Sequence, residues 1–246
     1  MIIGSVIRRY EKVSSTNTVA SAMLRSENPA EGTVITAASQ DDGRGQKGNS
    51  WESKPGKNLL MSIILYPVMV RPEEQFVISQ MVSLAVYDLV CAETTDARIK
   101  WPNDIYVRND KIAGILIENS IMGEAISSTV AGIGLNVNQT HFISNAVNPV
   151  SLTQITGKKY DLLQLTGELI RFLDMRYAMI ISGRISELSA ACHNALYRSG
   201  EWHRYSDSKG EFSGMIESVG PEGLLMVRRE NGDVRGYAFK EIDYIL

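Results

Sequence analysis

The sequence Lys100-Trp101-Pro102-Asn103-Asp104, followed by Lys111-Ile112-Ala113-Gly114-Ile115-Leu116-Ile117-Glu118, decides the fold. Pro102 lacks a backbone donor and biases Trp101 toward an extended conformation, so the neighbouring side chains point in fixed directions. Two lysines, an amide and a carboxylate therefore surround a rigid turn between apolar runs. This composition predicts strands on either side of the turn and charged groups directed at a small polar ligand.

Each charged residue of this stretch has a functional and a structural interpretation. Asp104 is a candidate ligand of Mg²⁺, and Lys100 is a candidate partner of a phosphate. Alternatively, Asn103 and Asp104 bond backbone N–H groups in an ordinary turn. Lys111 is the first residue of an apolar strand. A lysine at that position is also commonly a solvated residue that prevents the edge of a sheet from pairing with another chain.

Outward from this stretch, hydrophobic periodicity predicts strands alternating with helices. The run without alternation at 58–66 predicts a strand covered on both faces. The predicted strands are 34–40, 58–66, 97–101, 105–107, 111–118 and 128–138, with a hairpin turn at 108–110. The predicted helices run from the capping cluster Ser14-Ser15-Thr16-Asn17 to near Asn28-Pro29, from Pro72 through Val90, from 162 to about 181, and from 185 to about 196. Beyond Arg198-Ser199-Gly200, short strands with glycine turns predict a small β-barrel.

The composition limits the classes of protein to which this chain can belong. The 246 residues are 44% hydrophobic and 22% charged, with a net charge of −3, which is ordinary for a globular protein and gives no field that attracts nucleic acid. Cys91 and Cys192 lie far apart in apolar stretches, which indicates buried thiols and no structural zinc site. No signal peptide or membrane span is recognisable, so we expect a cytoplasmic protein without nucleic acid or membrane partners.

Gly43-Arg44-Gly45-Gln46-Lys47-Gly48 matches G-x-G-x-x-G after a strand. A dinucleotide-binding turn requires a helix next, but the following residues end in Pro55-Gly56, and a P-loop requires lysine where Asn49 stands. The remaining interpretations are a glycine loop that wraps an anion with Arg44 and Lys47, or an exposed basic turn. Trp51 favours a ligand, because an aromatic ring beside such a loop can cover an adenine.

Gly132-Ile133-Gly134 places two glycines on one face of a strand. Such glycines clear space for a flat ligand, or they accommodate a bulky neighbouring side chain. The pattern leaves both interpretations open.

Together, and in this order, these motifs resemble the signature set of the biotin protein ligases, from Ser14-Ser15-Thr16-Asn17 to the C-terminal barrel. The resemblance implies an α+β fold: a mixed, mainly antiparallel β-sheet flanked by helices, like class II aminoacyl-tRNA synthetases, and a small C-terminal SH3-like β-barrel. The implied domains are a catalytic domain at 1–198 and the barrel at 199–246. The implied reaction activates biotin with ATP as biotinyl-AMP, releases pyrophosphate, and transfers biotin to a lysine of a biotin carboxyl carrier protein.

The resemblance also implies roles for individual residues. The implied biotin-binding residues are Ser15, Thr16, Asn17, Gln40, Gly43, Arg44, Lys111, Gly114, Gly132 and Gly134. The implied ATP and adenylate contacts are Arg44, Gln46, Lys47, Asn49, Trp51, Lys100, Asn103 and Asn136. Arg44, Lys111, Asp104 and Lys100 are the implied catalytic residues, with Asp104 near Mg²⁺.

The sequence departs from the family pattern in two places. Thirteen residues precede Ser14, whereas some members carry an N-terminal helix-turn-helix there, so we expect no DNA binding. Gln46 and Asn49 stand where arginine is frequent in the family, which predicts a weaker hold on the adenylate.

Two other functions fit the same pattern. One is lipoate–protein ligation or octanoyl transfer by a related fold, and the other is a biotin-sensing binding protein without catalysis. The glycine loop and the Lys-Trp-Pro-Asn-Asp motif favour biotin, and the presence of Arg44, Asp104 and Lys111 together favours catalysis. The sequence leaves a homodimer open.

Overall fold

A computed structural model describes residues 1–46, 49–143 and 148–245. Its strands are β1 (Ile7–Val13), β2 (Val34–Gln40), β3 (Leu59–Leu65), β4 (Ala97–Lys100), β5 (Asp104–Val107), β6 (Asp110–Met122), β7 (Ala125–Leu135), β8 (Trp202–Asp207), β9 (Gly210–Val219), β10 (Leu225–Arg229), β11 (Val234–Tyr237) and β12 (Asp243–Tyr244). Its helices are α1 (Thr16–Ser26), α2 (Phe76–Cys91), α3 (Leu152–Thr156), α4 (Leu162–Ile181) and α5 (Ile185–Asn194).

The strands form two sheets. The larger sheet has the order β1-β2-β3-β7-β6-β5-β4, and its neighbours are antiparallel except for the parallel pair β1 and β2. The smaller sheet, β11-β10-β9-β8-β12, is entirely antiparallel. The predicted α+β class, with a mainly antiparallel sheet and a small C-terminal β unit, is confirmed.

Helices cover both faces of the larger sheet. Helices α2, α4 and α5 pack with the main core on one face, and α1 packs on the other through Ala20, Met23, Ile35, Ile64 and Val130. Every residue of β3 is buried, because a central strand between two helical layers has no solvated side. This confirms the interpretation of its continuous apolar run.

Several element boundaries differ from the prediction. Pro72–Glu74 forms a separate 3₁₀ turn before α2, and α1 ends at Ser26 before Asn28-Pro29. The strand predicted at 128–138 ends at Leu135, and α5 ends at Asn194. The sequence analysis predicts neither strand β1 nor the short helix α3. Strand β1 shows no apolar periodicity, because it is an edge strand whose central residues are exposed and mostly charged.

The small sheet contacts the larger one through the Lys-Trp-Pro-Asn-Asp turn. Trp101 is buried, and its Nε1–H donates to the carbonyl oxygen of Gly223 at 2.9 Å. The ring of Tyr244 packs against those of Tyr197 and Tyr205 at the same boundary. None of the helices in the described ranges is long and apolar enough to cross a bilayer.

Candidate active site

A cleft of about 450 Å³ opens on the face of the larger sheet that carries α1. The strand register aligns small residues across this face, because side chains on paired strands share a face every second residue. One row is Leu60, Gly134, Gly114 and Asp104, and the next is Ser62, Gly132 and Leu116. The glycines therefore form the floor of the cleft, with Asp104 at its end.

Two side chains already occupy this floor. The indole of Trp51 lies over Gly134 and Gly114, where an added Cβ at Gly114 would be 3.0 Å from the ring. The amide of Asn17 lies over Gly132. Of the two interpretations of these glycines, the structure shows packing against bulky neighbours rather than an open space. The indole N–H of Trp51 is buried and has no hydrogen-bond partner within the described part of the chain.

A β-bulge brings Lys111 into the cleft. Ile105 pairs with Ala113 but Tyr106 pairs with Lys111, so Ile112 is an additional residue in β6. Such an insertion changes the face on which the preceding side chain lies. Lys111 Nζ consequently lies 2.7 Å from Asp104 Oδ1 and forms an ion pair with it. The angles of this contact do not meet the criteria of a hydrogen bond, so Asp104 Oδ1 has no hydrogen-bond partner among the described residues. The lysine is therefore not the solvated edge residue considered above.

Lys100 lies at the other side of Asp104. Its Nζ donates to the Tyr106 hydroxyl at 3.1 Å and lies over the rings of Tyr106 and Tyr244, at 4.4 and 4.8 Å from their centroids. Burial lowers the pKa of Lys100, an effect that nearby Asp104 opposes. Burial also raises the pKa of Tyr106 and Tyr244, so both hydroxyls stay protonated at neutral pH.

A polar network lines the end of the cleft next to α1. Gln40 Oε1 accepts from the backbone N–H of Thr16 at 2.8 Å and from its hydroxyl at 3.1 Å. The Ser62 hydroxyl lies 2.7 Å from the Thr16 hydroxyl and 2.6 Å from Asn17 Oδ1. Asn17 Nδ2 donates to Glu118 Oε2 at 2.7 Å. The amide and hydroxyl groups at this end are thus held in fixed orientations.

The glycine loop lies across the same cleft as a narrow turn. Gly45 N–H donates to the carbonyl of Asn49, and Trp51 N–H donates to that of Gly43. Arg44 Nη2 reaches across to Glu118 Oε2 at 3.2 Å. The described residues 49–58 contain no helix, and the next element is β3, which confirms that the loop is not a dinucleotide-binding turn.

Most of the predicted site residues converge. Those that line the cleft are Ser15, Thr16, Asn17, Gln40, Arg44, Gln46, Asn49, Trp51, Lys100, Asn103, Asp104, Lys111, Gly114, Gly132 and Gly134. Gly43 is buried beneath the Trp51 backbone, and Asn136 is buried with its Nδ2 donating to the carbonyl of Val150 at 3.1 Å, so neither lines the cleft. Lys47 lies outside the described residues.

The structure adds residues that the motifs did not indicate. The segment Phe239–Tyr244 of the C-terminal unit closes one end of the cleft through Phe239, Lys240, Ile242, Asp243 and Tyr244. Ser62 and Glu118 belong to the polar network. Glu118 ends a recognised motif, but its partners Asn17 and Arg44 are distant in sequence, and no local signal identifies them.

The chemistry of the cleft suits a nucleotide that brings Mg²⁺. Among the described residues, no group of three His, Cys, Asp or Glu side chains could hold a metal by protein ligands alone. Mg²⁺ is commonly bound by one or two carboxylates together with substrate phosphates. Asp104 is the motif carboxylate that lines the cleft, and it would supply one oxygen ligand.

The charges of the cleft indicate a reaction between anions. Arg44, Lys100 and Lys111 converge on one space that also contains a polar recess and a glycine floor. Placing cations where two anionic groups must meet stabilises the negative charge that develops between them.

Comparisons with known proteins agree with this geometry. A profile of the Biotin/lipoate A/B protein ligase family matches residues 10–138. The chain is 27% identical to the bifunctional ligase/repressor BirA of Bacillus subtilis, over 96% of this chain and 74% of that protein. It is 31% identical to the biotin–[acetyl-CoA-carboxylase] ligase of Mycobacterium tuberculosis, over 70% and 65% of the two chains.

Solved structures show the same fold. The biotin protein ligase of Aquifex aeolicus in complex with biotin and ATP superposes with a TM-score of 0.79 and 24% identity, covering 97% of this chain and 98% of that one. The resemblance recognised in the motifs is confirmed by the match over residues 10–138. The chain belongs to the biotin/lipoate A/B protein ligase family.

Proposed function

We propose that this protein is a biotin protein ligase that consumes ATP. The observation that carries the choice of biotin is the polar recess formed by Thr16, Asn17 and Gln40 beside the glycine floor. A ureido ring presents both N–H donors and a carbonyl acceptor to such groups. A dithiolane ring or an octanoyl chain would form no hydrogen bond with these groups, and a polar site discriminates against such ligands. The relatives named as biotin ligases support the same choice.

In the first step, a carboxylate oxygen of biotin attacks the α-phosphorus of ATP. The bond from that phosphorus to the bridging oxygen of the β-phosphate breaks, and pyrophosphate leaves with the electron pair. Arg44 and Lys111 would hold the biotin carboxylate and the α-phosphate, and Lys100 would contact the departing phosphates. Cations in these positions lower the repulsion between the two anions.

In the second step, the neutral ε-amine of the acceptor lysine attacks the acyl carbon of biotinyl-AMP. An amide bond forms, AMP leaves, and the amine loses a proton. Asp104 lies at the end of the glycine row, where it can orient the amine and accept that proton. Trp51 and Asn103 would contact the adenine side, while Gln46 and Asn49 would close the loop over the adenylate.

The acceptor in this proposal is a biotin carboxyl carrier protein, as the relative named for acetyl-CoA carboxylase suggests. We propose a catalytic unit at 1–198 and a barrel at 199–246, in the cytoplasm, without nucleic acid or membrane partners. The net charge of −3 supports the absence of a nucleic acid partner. A homodimer is compatible with the proposal but not required by it.

The decisive experiment offers the protein Mg-ATP with biotin, lipoate or octanoate and an acceptor domain. We expect pyrophosphate release and a mass increase of the acceptor by one biotin, with no comparable modification by the other acids. Modification by lipoate or octanoate in preference to biotin would assign the runner-up activity. Tight biotin binding without pyrophosphate release would instead identify a sensor.

A further inference from the structure

Glu118 links the two ends of the cleft. Its Oε2 accepts from Asn17 Nδ2 at 2.7 Å and also lies 3.2 Å from Arg44 Nη2. Asn17 belongs to the polar recess, and Arg44 is the cation of the glycine loop. A single carboxylate oxygen therefore contacts both the recess and the loop.

The position of Glu118 follows from the strand register. Glu118 pairs with Val130 on β7, which pairs with Ile64 on β3, so it extends the rows that contain the glycines. Its side chain is 37% exposed and that of Arg44 is 38% exposed. Arg44 itself lines the cleft, so a ligand that enters it can reach the cation of this ion pair.

The other motif cation shows the same arrangement. Lys111 pairs with Asp104 at 2.7 Å, as Arg44 pairs with Glu118. Each of these two cations therefore has a carboxylate partner within the protein. An anionic substrate must displace that carboxylate or accept its repulsion.

We propose that Glu118 is an internal counter-ion that holds Arg44 until the carboxylate or phosphate of the ligand replaces it. Glu118 is a positioning residue that acts through Arg44 and Asn17. Release of Arg44 frees its guanidinium to contact the anion, while the second contact keeps Asn17 oriented for the uncharged ring. The inference rests on the proposed function, because it assumes that the anionic ligand is biotin or its adenylate.

The arrangement predicts a specific effect of charge. A neutral ligand of the recess does not compete with Glu118 for Arg44, whereas an anionic one does. Removal of the Glu118 charge should therefore strengthen the binding of biotin relative to that of biotinamide, its uncharged amide. Since half-exposed ion pairs contribute little, we expect a change of roughly two- to five-fold in the ratio of the two dissociation constants.

The test measures biotin and biotinamide binding by calorimetry for the wild type and for Glu118→Gln. Glutamine keeps an oxygen that can accept from Asn17 but carries no charge. Glu124→Gln, in the exposed turn between β6 and β7, is the matched control that removes one negative charge elsewhere. We expect the ratio to move toward biotin in Glu118→Gln, to stay unchanged in Glu124→Gln, and to be insensitive to Glu118→Gln once Arg44→Ala is also present.

The outcomes separate the inference from the proposed function. Equal changes for both ligands in Glu118→Gln would show a purely structural role through Asn17 and overturn the inference. A ratio that still changes in the Arg44→Ala background would also overturn it. A wild-type protein that binds neither ligand would refute the proposed function itself, independently of Glu118.

Discussion

Lys111 and Asp104 form an ion pair across β5 and β6 because an additional residue in β6 changes the face of Lys111. In the proposed reaction, this lysine faces the substrate carboxylate and phosphate. The same pair therefore places a cation for the first step beside the candidate base for the second. Loss of Lys111 should therefore slow mainly adenylate formation, whereas loss of the Asp104 carboxylate should slow transfer in addition to any part of the first step that depends on Mg²⁺.

Lys111→Ala should slow pyrophosphate release by about 10²–10³-fold, the usual cost of losing one group that stabilises developing charge. The fold should persist, because the lysine side chain is not part of the core. Steady-state pyrophosphate assays and thermal unfolding check this. Lys158→Ala, which removes a surface lysine paired with Glu93, is the control. Near wild-type turnover by folded Lys111→Ala would refute its assignment.

Asp104→Asn should slow transfer to the acceptor lysine by about 10²–10⁴-fold, the range for loss of a general base. Biotin binding should remain, since Asp104 is not part of the polar recess. Rapid-quench experiments that follow adenylate formation and transfer separately make the measurement. Asp96→Asn breaks a surface ion pair with Arg108 and serves as the control. Loss of biotin affinity with intact turnover would contradict the placement of Asp104.

The lowered pKa of Lys100 predicts the pH dependence of ATP use. Burial disfavours its charge, so the ammonium loses its proton at a lower pH than an exposed lysine does. kcat/KM for ATP should fall as the pH rises through this lowered value. Lys100→Arg keeps its charge and should move the alkaline limb to higher pH. The control Lys158→Arg, at an exposed lysine, should leave the alkaline limb where it is in the wild type. Identical limbs for wild type and Lys100→Arg would exclude Lys100 as the titrating group.

Gln46→Arg tests how the loop retains the adenylate. A charged donor holds a phosphate more strongly than a neutral amide does, by about 1 kcal/mol. Dissociation of biotinyl-AMP should therefore slow by about fivefold, a factor that follows from that energy. Stopped-flow fluorescence of Trp51 is a direct readout, with Gln164→Arg on the surface of α4 as the control. Equal rates would show that position 46 does not retain the adenylate.

Two tyrosines of the small sheet provide a paired test of stability. The Tyr205 hydroxyl is buried without a hydrogen-bond partner in the described structure, whereas the Tyr237 hydroxyl bonds Asp207 at 3.1 Å. Tyr205→Phe should raise the free energy of unfolding by about 1 kcal/mol, because it removes an unsatisfied group. Tyr237→Phe should lower it by a similar amount. Denaturant unfolding measures both changes, and destabilisation by Tyr205→Phe would reveal a bonded hydroxyl.

The resemblance to the biotin protein ligases predicted that the motifs converge, whereas physical rules predicted only their local backbone geometry. Proline, glycine and alternating apolar residues determine local backbone geometry, so the turn at Pro102 and the glycines of β7 were recognisable. The contacts of those glycines were not predictable. Whether Trp51, Asn17 or a ligand covers the floor depends on tertiary packing, and the pattern allowed each outcome.

The remaining differences involve contacts between distant parts of the chain. Glu118 contacts Arg44, which is 74 residues away. The ring of Tyr244, in β12 of the smaller sheet, contacts Lys100, which ends β4 of the larger sheet. Such contacts have no short-range periodicity. The additional residue in β6 was equally hidden, since Ile112 reads as one more apolar residue of a strand.

That additional residue has a consequence for how the sequence can vary. Substitution of Ile112 by another aliphatic residue preserves the count of residues between Lys111 and Gly114. A regular ladder of the same residues, without the bulge, would place Lys111 three positions before Gly114 and therefore on the opposite face of the sheet, away from Asp104. Among functional variants of this protein, the changes tolerated in this segment should therefore be those that keep Lys111 paired with Tyr106.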